Sequence, residues 1–390
     1  MLKHKEKLNK YRVKIIAWVA FFIGFSQAVS MYVLSTFFEE IVGANMVGYF
    51  YAGAYTVFLI ILLNLHKLVK RFGKYCVFSL ACLFEALALC LLIFLGVSDL
   101  SAYLAASFII FSMLSFVVLD IILESYSKDE YSGRIRGMYL TIYNSGLLFG
   151  PVVSTWLLSR FDFKGVFLLV FFLVILILVI FLITADKFKH DYRRRLKVID
   201  VLKKSWKKKN IIRIYYVSFI LEVFYALTII YMPIYLREII GLSWGEIGRV
   251  FTFMLIPFVL LQYPVGVMAD KRYGEKEFLF FSLTIMAIST GLIYFFVSES
   301  ILYWSIILFA TRIGAALIEI LRDSYFYKQV DGQDVDLIDF FRTAMPVGYI
   351  FAAILSSILL IFFPIKIVFL LIVVVAISGF YPVYKLKDSR

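Results

Sequence analysis

Three charged residues stand inside long apolar stretches of the sequence, where ionised side chains are rare. Arg312, Glu222 and Glu85 are each flanked on both sides by aliphatic and aromatic residues. If these stretches are membrane-spanning helices, a rise of about 1.5 Å per residue places the three charges roughly 17, 12 and 15 Å into their helices, near the bilayer centre. A charge at that depth costs about 2.5–3.5 kcal/mol on insertion scales. Each should therefore face a partner or a water-filled cavity.

Glu222 and Arg312 could perform two kinds of chemistry at that depth. Glu222 could bind and release a proton as its access to water changes, whereas Arg312 could hold an anionic group of a ligand directly. The alternative for both is a permanent salt bridge that joins two helices. The residues alone leave these possibilities open.

Five further polar or aromatic side chains lie at a similar depth in the apolar stretches. They are Gln27, Asn144, Tyr225, Gln262 and Tyr263. As a set they are candidates to line a substrate or proton-coupling site with Glu222 and Arg312. The alternative is that they serve as hydrogen-bond partners between helices, a role worth about 0.6 kcal/mol each in membranes.

A pair of acidic residues recurs at the ends of two apolar stretches. After Asp120 and Glu124 the chain continues with Ser and Tyr, and the same pattern follows Glu319 and Asp323, 199 residues later. The two carboxylates of each pair are four residues apart and so lie on the same face of a helix. Such a recurrence at a fixed offset indicates an internal duplication.

A basic loop recurs at nearly the same offset. The first copy contains Lys70, Arg71 and Gly73. The second copy contains Gly266, Asp270, Lys271, Arg272 and Gly274. An Asp at a helix boundary followed by basic residues and Gly can cap one helix, pair with the next and turn tightly. We expect Arg71 or Lys70 to neutralise the first acidic pair, and Lys271, Arg272 or Arg342 to neutralise the second.

The elements that must position these residues are transmembrane helices. Of the 390 residues, 63% are hydrophobic and only 17% charged, which excludes a soluble enzyme, a disordered protein and a coiled coil. Runs of roughly 20 apolar residues are long enough to cross the bilayer. We predict twelve such spans, numbered in chain order: 13–37, 46–65, 75–95, 102–122, 137–157, 166–183, 214–236, 248–268, 278–297, 301–321, 340–361 and 367–381.

The distribution of basic residues predicts the orientation of these spans. Of the 40 lysines and arginines, 34 lie in the two termini and the even-numbered connections, whereas four lie in the odd-numbered connections. Because positively charged short loops stay in the cytoplasm, both termini are predicted to be cytoplasmic. The longest polar stretch, 187–213, then forms a basic linker on the anionic inner leaflet between two six-helix bundles, 1–186 and 214–390. The net charge of +13 is clustered between apolar runs, so no nucleic-acid partner is expected.

Together the twelve spans, the duplication, the linker and the second basic loop resemble the major facilitator superfamily of secondary transporters. The loop from Gly266 to Lys276 is similar to that family's loop signature, with one extra residue before Tyr273. Gly146, Gly150 and Pro151 in span 5 are similar to an element of the family's exporters, although Ser154 and Thr155 replace the glycines expected next.

This resemblance implies an all-α integral membrane protein whose twelve helices form two pseudo-symmetric six-helix bundles. It places spans 1, 4, 7 and 10 around a central cavity, which favours Glu222 and Arg312 as functional residues. Glu85, on a peripheral span, is then interpreted as a protonated side chain bonded to a neighbouring helix. The acidic pairs and basic loops would hold the cytoplasmic side closed in one state, with static ion pairing at the membrane interface as the alternative.

The function expected from these features is secondary active transport of a small solute by alternating access. We expect coupling to protons, a monomer in the cell membrane surrounded by lipid, and export in preference to uptake of a nutrient or organic anion. A non-transporting receptor or assembly protein on the same scaffold is the competing class. The sequence contains no phosphate-binding loop and no hydrolase spacing, and Cys76, Cys82 and Cys90 lack metal-ligand spacing, so we expect no enzyme activity, cofactor or metal.

Overall fold

A computed structural model describes residues 2–124, 132–184, 206, 208–261, 264–265, 268, 275–330 and 335–387. It describes side chains over the same ranges except at residues 2–13, 124, 132–140, 184 and 335–336. The helices of the first part are α1 (Leu2–Val42), α2 (Ala44–Phe72), α3 (Lys74–Leu95), α4 (Asp99–Glu124) and α5 (Ser132–Thr184). Those of the second part are α6 (Lys209–Ile234), α7 (Trp244–Leu260), α8 (Lys276–Phe295), α9 (Ile301–Gln329), α10 (Val335–Arg342), α11 (Ala344–Phe362), α12 (Ile367–Ser378) and α13 (Phe380–Lys385).

The predicted apolar runs lie within helices, and ten segments of the described chain are long and apolar enough to cross a membrane. One of them, Thr141–Ile183, contains both predicted spans 5 and 6. Predicted span 8 corresponds to α7, whose 17 described residues fall just short of a spanning length. The structure is therefore consistent with twelve spans. Large apolar side chains on the outer helix faces, such as Phe94 and Ile183, are about four-fifths exposed, as suits contact with lipid.

The boundary between spans 5 and 6 is a break inside α5. Asp162 has φ 58° and ψ −167°, outside the helical region, and its carboxylate accepts a hydrogen bond of 2.8 Å from the backbone N–H of Phe163. Asp tolerates positive φ better than most residues because its short side chain can bond locally to the backbone. The polar sequence from Arg160 to Lys164 thus changes the helix direction without a long loop.

The chain divides into two compact units. Unit 1 comprises Met1–Ile41 and Ile60–Arg193, and unit 2 comprises Val42–Leu59 and Arg194–Arg390. In unit 1, α3 packs against α4 and α5, and the ring of Phe37 on α1 meets Phe163 edge to face at 5.1 Å. The predicted division into bundles at a linker stays a prediction, since most of 187–213 lies outside the described residues.

Unit 2 combines the N-terminal part of α2, residues 44–59, with the helices of the second half. Its strongest packing joins α8 to α9, α6 to α11 and α7 to α9. Gly48 on α2 leaves no room for a side chain, because a Cβ there would lie 2.2 Å from Ser357 Oγ, 2.6 Å from the Ala353 carbonyl and 2.7 Å from the Tyr231 hydroxyl. One helical turn beyond Tyr51, the ring of Tyr55 stacks on Tyr349 at 4.2 Å.

Candidate functional site

A group of polar and charged side chains in unit 2 lies where α6 faces α9. Its members are Ser218, Glu222, Tyr225 and Thr228 on α6, and Arg312, Glu319, Arg322 and Asp323 on α9. The spacing of three and four residues along α6 puts all four of its side chains on one helix face. On α9 the intervals of seven, three and one residues likewise keep the charged side chains near one face. We call these eight residues the α6–α9 cluster.

Glu222 pairs with Arg322 in this cluster. The Arg322 Nη1 to Glu222 Oε1 distance is 2.8 Å, and only 11% of the arginine side chain and 9% of the glutamate side chain are exposed. The same Nη1 donates to Ser218 Oγ at 2.6 Å, and Arg322 Nε lies 3.6 Å from an oxygen of Asp323. The alternative considered from the sequence, a salt bridge between Arg312 and Glu222, is therefore wrong, because the partner of Glu222 is Arg322. Predicted span 10 ended at residue 321, whereas α9 continues to Gln329 and carries Arg322 inside the bundle.

Arg312 is buried without a carboxylate partner in the described part of the chain. Only 3% of the residue is exposed. Nη1 and Nη2 both donate to Thr228 Oγ1, at 3.1 and 3.2 Å, and the guanidinium lies over the rings of Phe224 and Tyr225, 4.8 and 5.9 Å from their centroids. Its Nε has no hydrogen-bond partner among the residues that the structure describes. These contacts stabilise the cation by dipoles and ring faces, and leave part of its hydrogen-bonding capacity unused.

The second acidic pair belongs to the α6–α9 cluster as well. Tyr225 donates its hydroxyl proton to Glu319 Oε2 at 3.0 Å, and Asp323 lies beside Arg322. Arg342, one of the predicted counter-charges, pairs with Asp339 of its own helix at 3.4 Å. Glu319 and Asp323 were expected to form ion pairs at the cytoplasmic end of span 10. In the structure both are connected to Glu222 through Tyr225 and Arg322.

The first acidic pair and its basic loop lie in unit 1. Asp120 is half-buried near the end of α4, and the side chain of Glu124 lies outside the described residues. Arg71 is exposed, and its guanidinium lies over the ring of Phe72 at 5.2 Å. Gly73 has φ 84°, a conformation that favours glycine, and it joins α2 to α3 in a single residue. The tight turn expected at this glycine is present.

Gln27, one of the predicted polar positions in unit 1, connects α1 with two other helices. Its Nε2 donates weakly to the carbonyl and hydroxyl of Ser112 on α4, at 3.4 and 3.5 Å. Its Oε1 accepts the Tyr143 hydroxyl of α5 at 2.6 Å. Asn144 is half-buried on α5, beside Tyr143. Gln27 thus connects three helices, as an interhelical hydrogen-bond partner would.

The span 5 element brings α5 against α1. A Cβ at Gly146 would lie 2.4 Å from the Phe21 carbonyl, and one at Gly150 would lie 2.2 Å from Ala28 Cβ. Pro151 follows within the helix, and its carbonyl accepts hydroxyl hydrogen bonds from Ser154 and Thr155 at 3.0 and 2.8 Å. The two glycines therefore permit close contact of helix backbones, which is a packing role.

The remaining predicted residues lie outside the described part of the chain: Gln262, Tyr263, Gly266, Asp270, Lys271, Arg272 and Gly274. Conversely, the sequence reasoning missed Arg322, Ser218 and Thr228 as members of the site. Arg322 could have been found by continuing the helical period of span 10 past Glu319, since residues 319 and 322 share a face with 312.

The sequence and the fold are both similar to those of known proteins. A family model described as Major Facilitator Superfamily matches residues 16–251 and 214–389. Among solved structures, a crystal structure of a variant of the nucleoside transporter NupG aligns with a TM-score of 0.73 and 14% sequence identity, covering 97% of this chain and 99% of that one. At this identity the alignment is evidence for the fold. No curated protein matches the sequence.

Proposed function

Because the chain belongs to the major facilitator superfamily of secondary transporters, we propose that it carries a small solute across the membrane by alternating access, coupled to the movement of protons. The observation that supports this most directly is the α6–α9 cluster, which holds a buried ion pair next to a buried cation without a carboxylate partner. Buried charges inside a membrane protein are costly, and their usual reason is function.

Glu222 is the proposed proton-coupling residue. While ionised, it is held by Arg322 at 2.8 Å. Protonation would remove the charge that attracts Arg322, whose remaining partners are Ser218 and Asp323. Because Glu222 is on α6 and Arg322 on α9, the proton would change the force that joins two helices. A bound proton can in this way favour one arrangement of the helices over another.

Arg312 is the proposed contact for the substrate. Among the described residues this guanidinium contacts one hydroxyl and two ring faces, so it has donors left for an anionic or strongly accepting group. This supports a substrate that carries such a group, for example an organic anion. Tyr225, which donates to Glu319 and whose ring lies under the Arg312 guanidinium, would connect the substrate contact with the acidic residues of the cluster.

Direction and cellular setting are also part of the proposal. Export is favoured by the resemblance of Gly146, Gly150 and Pro151 to the exporters' element, and their packing role in α5 is compatible with either direction. The distribution of lysine and arginine supports a cell-membrane protein with both termini in the cytoplasm. The cytoplasmic latch at Asp270 and the basic loops remains a proposal of the same kind.

The test is solute flux in proteoliposomes with and without an imposed pH gradient. The full chain is reconstituted and screened with organic anions, neutral nucleoside-like solutes and amphipathic cations, in both gradient directions. We expect gradient-dependent flux of an anion-bearing solute. Glu222→Gln should abolish the pH dependence, and Arg312→Gln should raise the solute concentration needed for half-maximal flux at least tenfold, because a charge-assisted contact is lost.

Matched variants separate these effects from general damage. Arg249→Gln removes an exposed arginine of α7 and Glu238→Gln removes an exposed carboxylate, so both should transport like the unaltered protein. Flux that ignores the pH gradient in the unaltered protein would refute proton coupling. No flux of any tested solute in either direction would favour the receptor or assembly role on the same scaffold.

A further inference from the structure

Glu85 forms a second polar centre, in unit 1 and separate from the α6–α9 cluster. It lies in the middle of α3, and only 4% of the residue is exposed. Ser115 Oγ on α4 donates to Glu85 Oε2 at 3.4 Å. In the described part of unit 1, no lysine, arginine or histidine pairs with it.

A small cavity adjoins this carboxyl and leaves room for about one water molecule. Its lining comes from four helices: Ile23 and Ser26 of α1, Cys82 and Glu85 of α3, Ser112 and Ser115 of α4, and Val174 and Ile177 of α5. Within the described part of the chain, the hydroxyl of Ser26 has no hydrogen-bond partner, although the residue is only 2% exposed. A buried hydroxyl without a partner beside a water-sized space indicates a ligand that can donate or accept a hydrogen bond there.

The charge state of Glu85 follows from these surroundings. An ionised carboxylate in such a site would have only weak hydroxyl donors to stabilise it, so the neutral, protonated acid is favoured. The Cys82 thiol, one turn before Glu85, is the other titratable group of the cavity lining, and the faces of α1, α4 and α5 contribute hydroxyl and aliphatic groups. Four of the eight lining residues carry side-chain oxygen atoms, so sodium would compete with a proton for this site, and the test below includes it.

We propose that unit 1 contains a proton-binding site of its own, in which Glu85 takes up one proton on a carboxylate oxygen and releases it to a water molecule in the adjoining cavity. The proton comes from hydronium and returns to water, so that no other reactant is needed. The serine hydroxyls around the cavity supply the hydrogen bonds along this path. The site goes beyond the proposed transport function, and neither Glu222 nor the substrate enters the argument.

This site is connected to the helices around it. Ser115, the donor to Glu85, also lies 2.9 Å from the Ser112 carbonyl, Ser112 accepts from Gln27 of α1, and Gln27 in turn accepts from Tyr143 of α5. A change of charge at Glu85 therefore alters hydrogen bonds that join α1, α4 and α5. The site provides unit 1 with a response to protons that does not require unit 2.

Infrared difference spectroscopy of the purified full chain tests the proposal without a substrate. The carbonyl stretch of protonated carboxyls is recorded at neutral pH and again as the pH is raised. We expect a band at neutral pH that is lost in Glu85→Gln and that converts to carboxylate at alkaline pH. Glu277→Gln, which removes an exposed carboxyl of α8, should leave the band unchanged.

Two further measurements keep the outcome decisive. Ser115→Ala retains the carboxyl and removes one donor, so the band should remain and shift to higher frequency; this variant decides the matter if Glu85→Gln does not fold. Sodium chloride at fixed pH and ionic strength should leave the band in place. Identical spectra for the unaltered protein and Glu85→Gln, or loss of the band on adding sodium, would overturn the proposal.

Discussion

Replacing Arg322 by Gln should destabilise unit 2 strongly, and replacing Glu222 as well should recover part of the loss. The single change leaves a carboxylate that is 9% exposed without the cation that lies 2.8 Å away. The double change, Glu222→Gln with Arg322→Gln, removes both charges and leaves two amides of similar size. The buried pair thus predicts that the effects of the two changes on the unfolding free energy do not add.

The magnitude follows from the distance and the burial. At 2.8 Å and an effective dielectric constant of about 20, the gross attraction of the pair is roughly 6 kcal/mol. Desolvation offsets much of this, and removal of one partner of a buried pair typically costs about 3–5 kcal/mol. We expect about 3 kcal/mol for Arg322→Gln, since the small exposed fraction of Glu222 lets water solvate it in part. A coupling energy of about 1–2 kcal/mol between the two positions should follow.

The assay is the unfolding equilibrium of the purified protein in mixed micelles titrated with a denaturing detergent. The control is a second cycle with Glu222→Gln and Arg312→Gln. Since Arg312 contacts Thr228 and not Glu222, the changes in that cycle should add within about 0.5 kcal/mol. Coupling of Glu222 to Arg312 that exceeds its coupling to Arg322 would refute the pairing described above.

Three further predictions concern packing. Gly150→Ala should lower the midpoint of thermal unfolding, because its Cβ would lie 2.2 Å from a neighbouring Cβ, whereas Gly53→Ala, with nothing within 4 Å, should be neutral; equal effects would contradict the close contact. Gly48→Ala should weaken the packing of the N-terminal part of α2 against α6 and α11, because the added Cβ would overlap with Ser357. The measurement is hydrogen exchange, which should become faster in peptides covering residues 44–59. Ser243→Ala removes the capping box formed with Glu246 and should cost about 1 kcal/mol of unfolding free energy; an unchanged value would show that α7 does not need the cap.

The fold class could be predicted because membrane insertion imposes a simple rule on the sequence. Every backbone polar group in the bilayer must be bonded within the chain, so runs of apolar residues become helices. The all-α prediction and the superfamily are confirmed by the family match and by the fold of the NupG structure. Helix ends were harder to predict. α9 extends eight residues past the predicted end at 321, because Glu319, Arg322 and Asp323 have partners within unit 2 and do not need water.

The candidate site could be predicted only in part. Depth along a helix can be counted, and Glu222 and Arg312 are both buried as that count requires. The partner of Glu222 could not be predicted from spacing along one helix, since Arg322 lies 100 residues later on a different helix. The choice between two arginines of one helix depends on how far α9 is rotated and shifted against α6, and no local pattern records that register.

The sequence by itself determined that the chain is a membrane protein, that it is internally repeated, and which charges lie deep in its helices. These properties follow from hydropathy and from periodicity along the chain. Only the tertiary structure decided that Glu222 pairs with Arg322, that Arg312 bonds to Thr228 instead, and that Glu85 adjoins a cavity lined by four helices. The physical reason is that hydrogen bonds and ion pairs act over about 3 Å, so they depend on side-chain positions that helix packing sets.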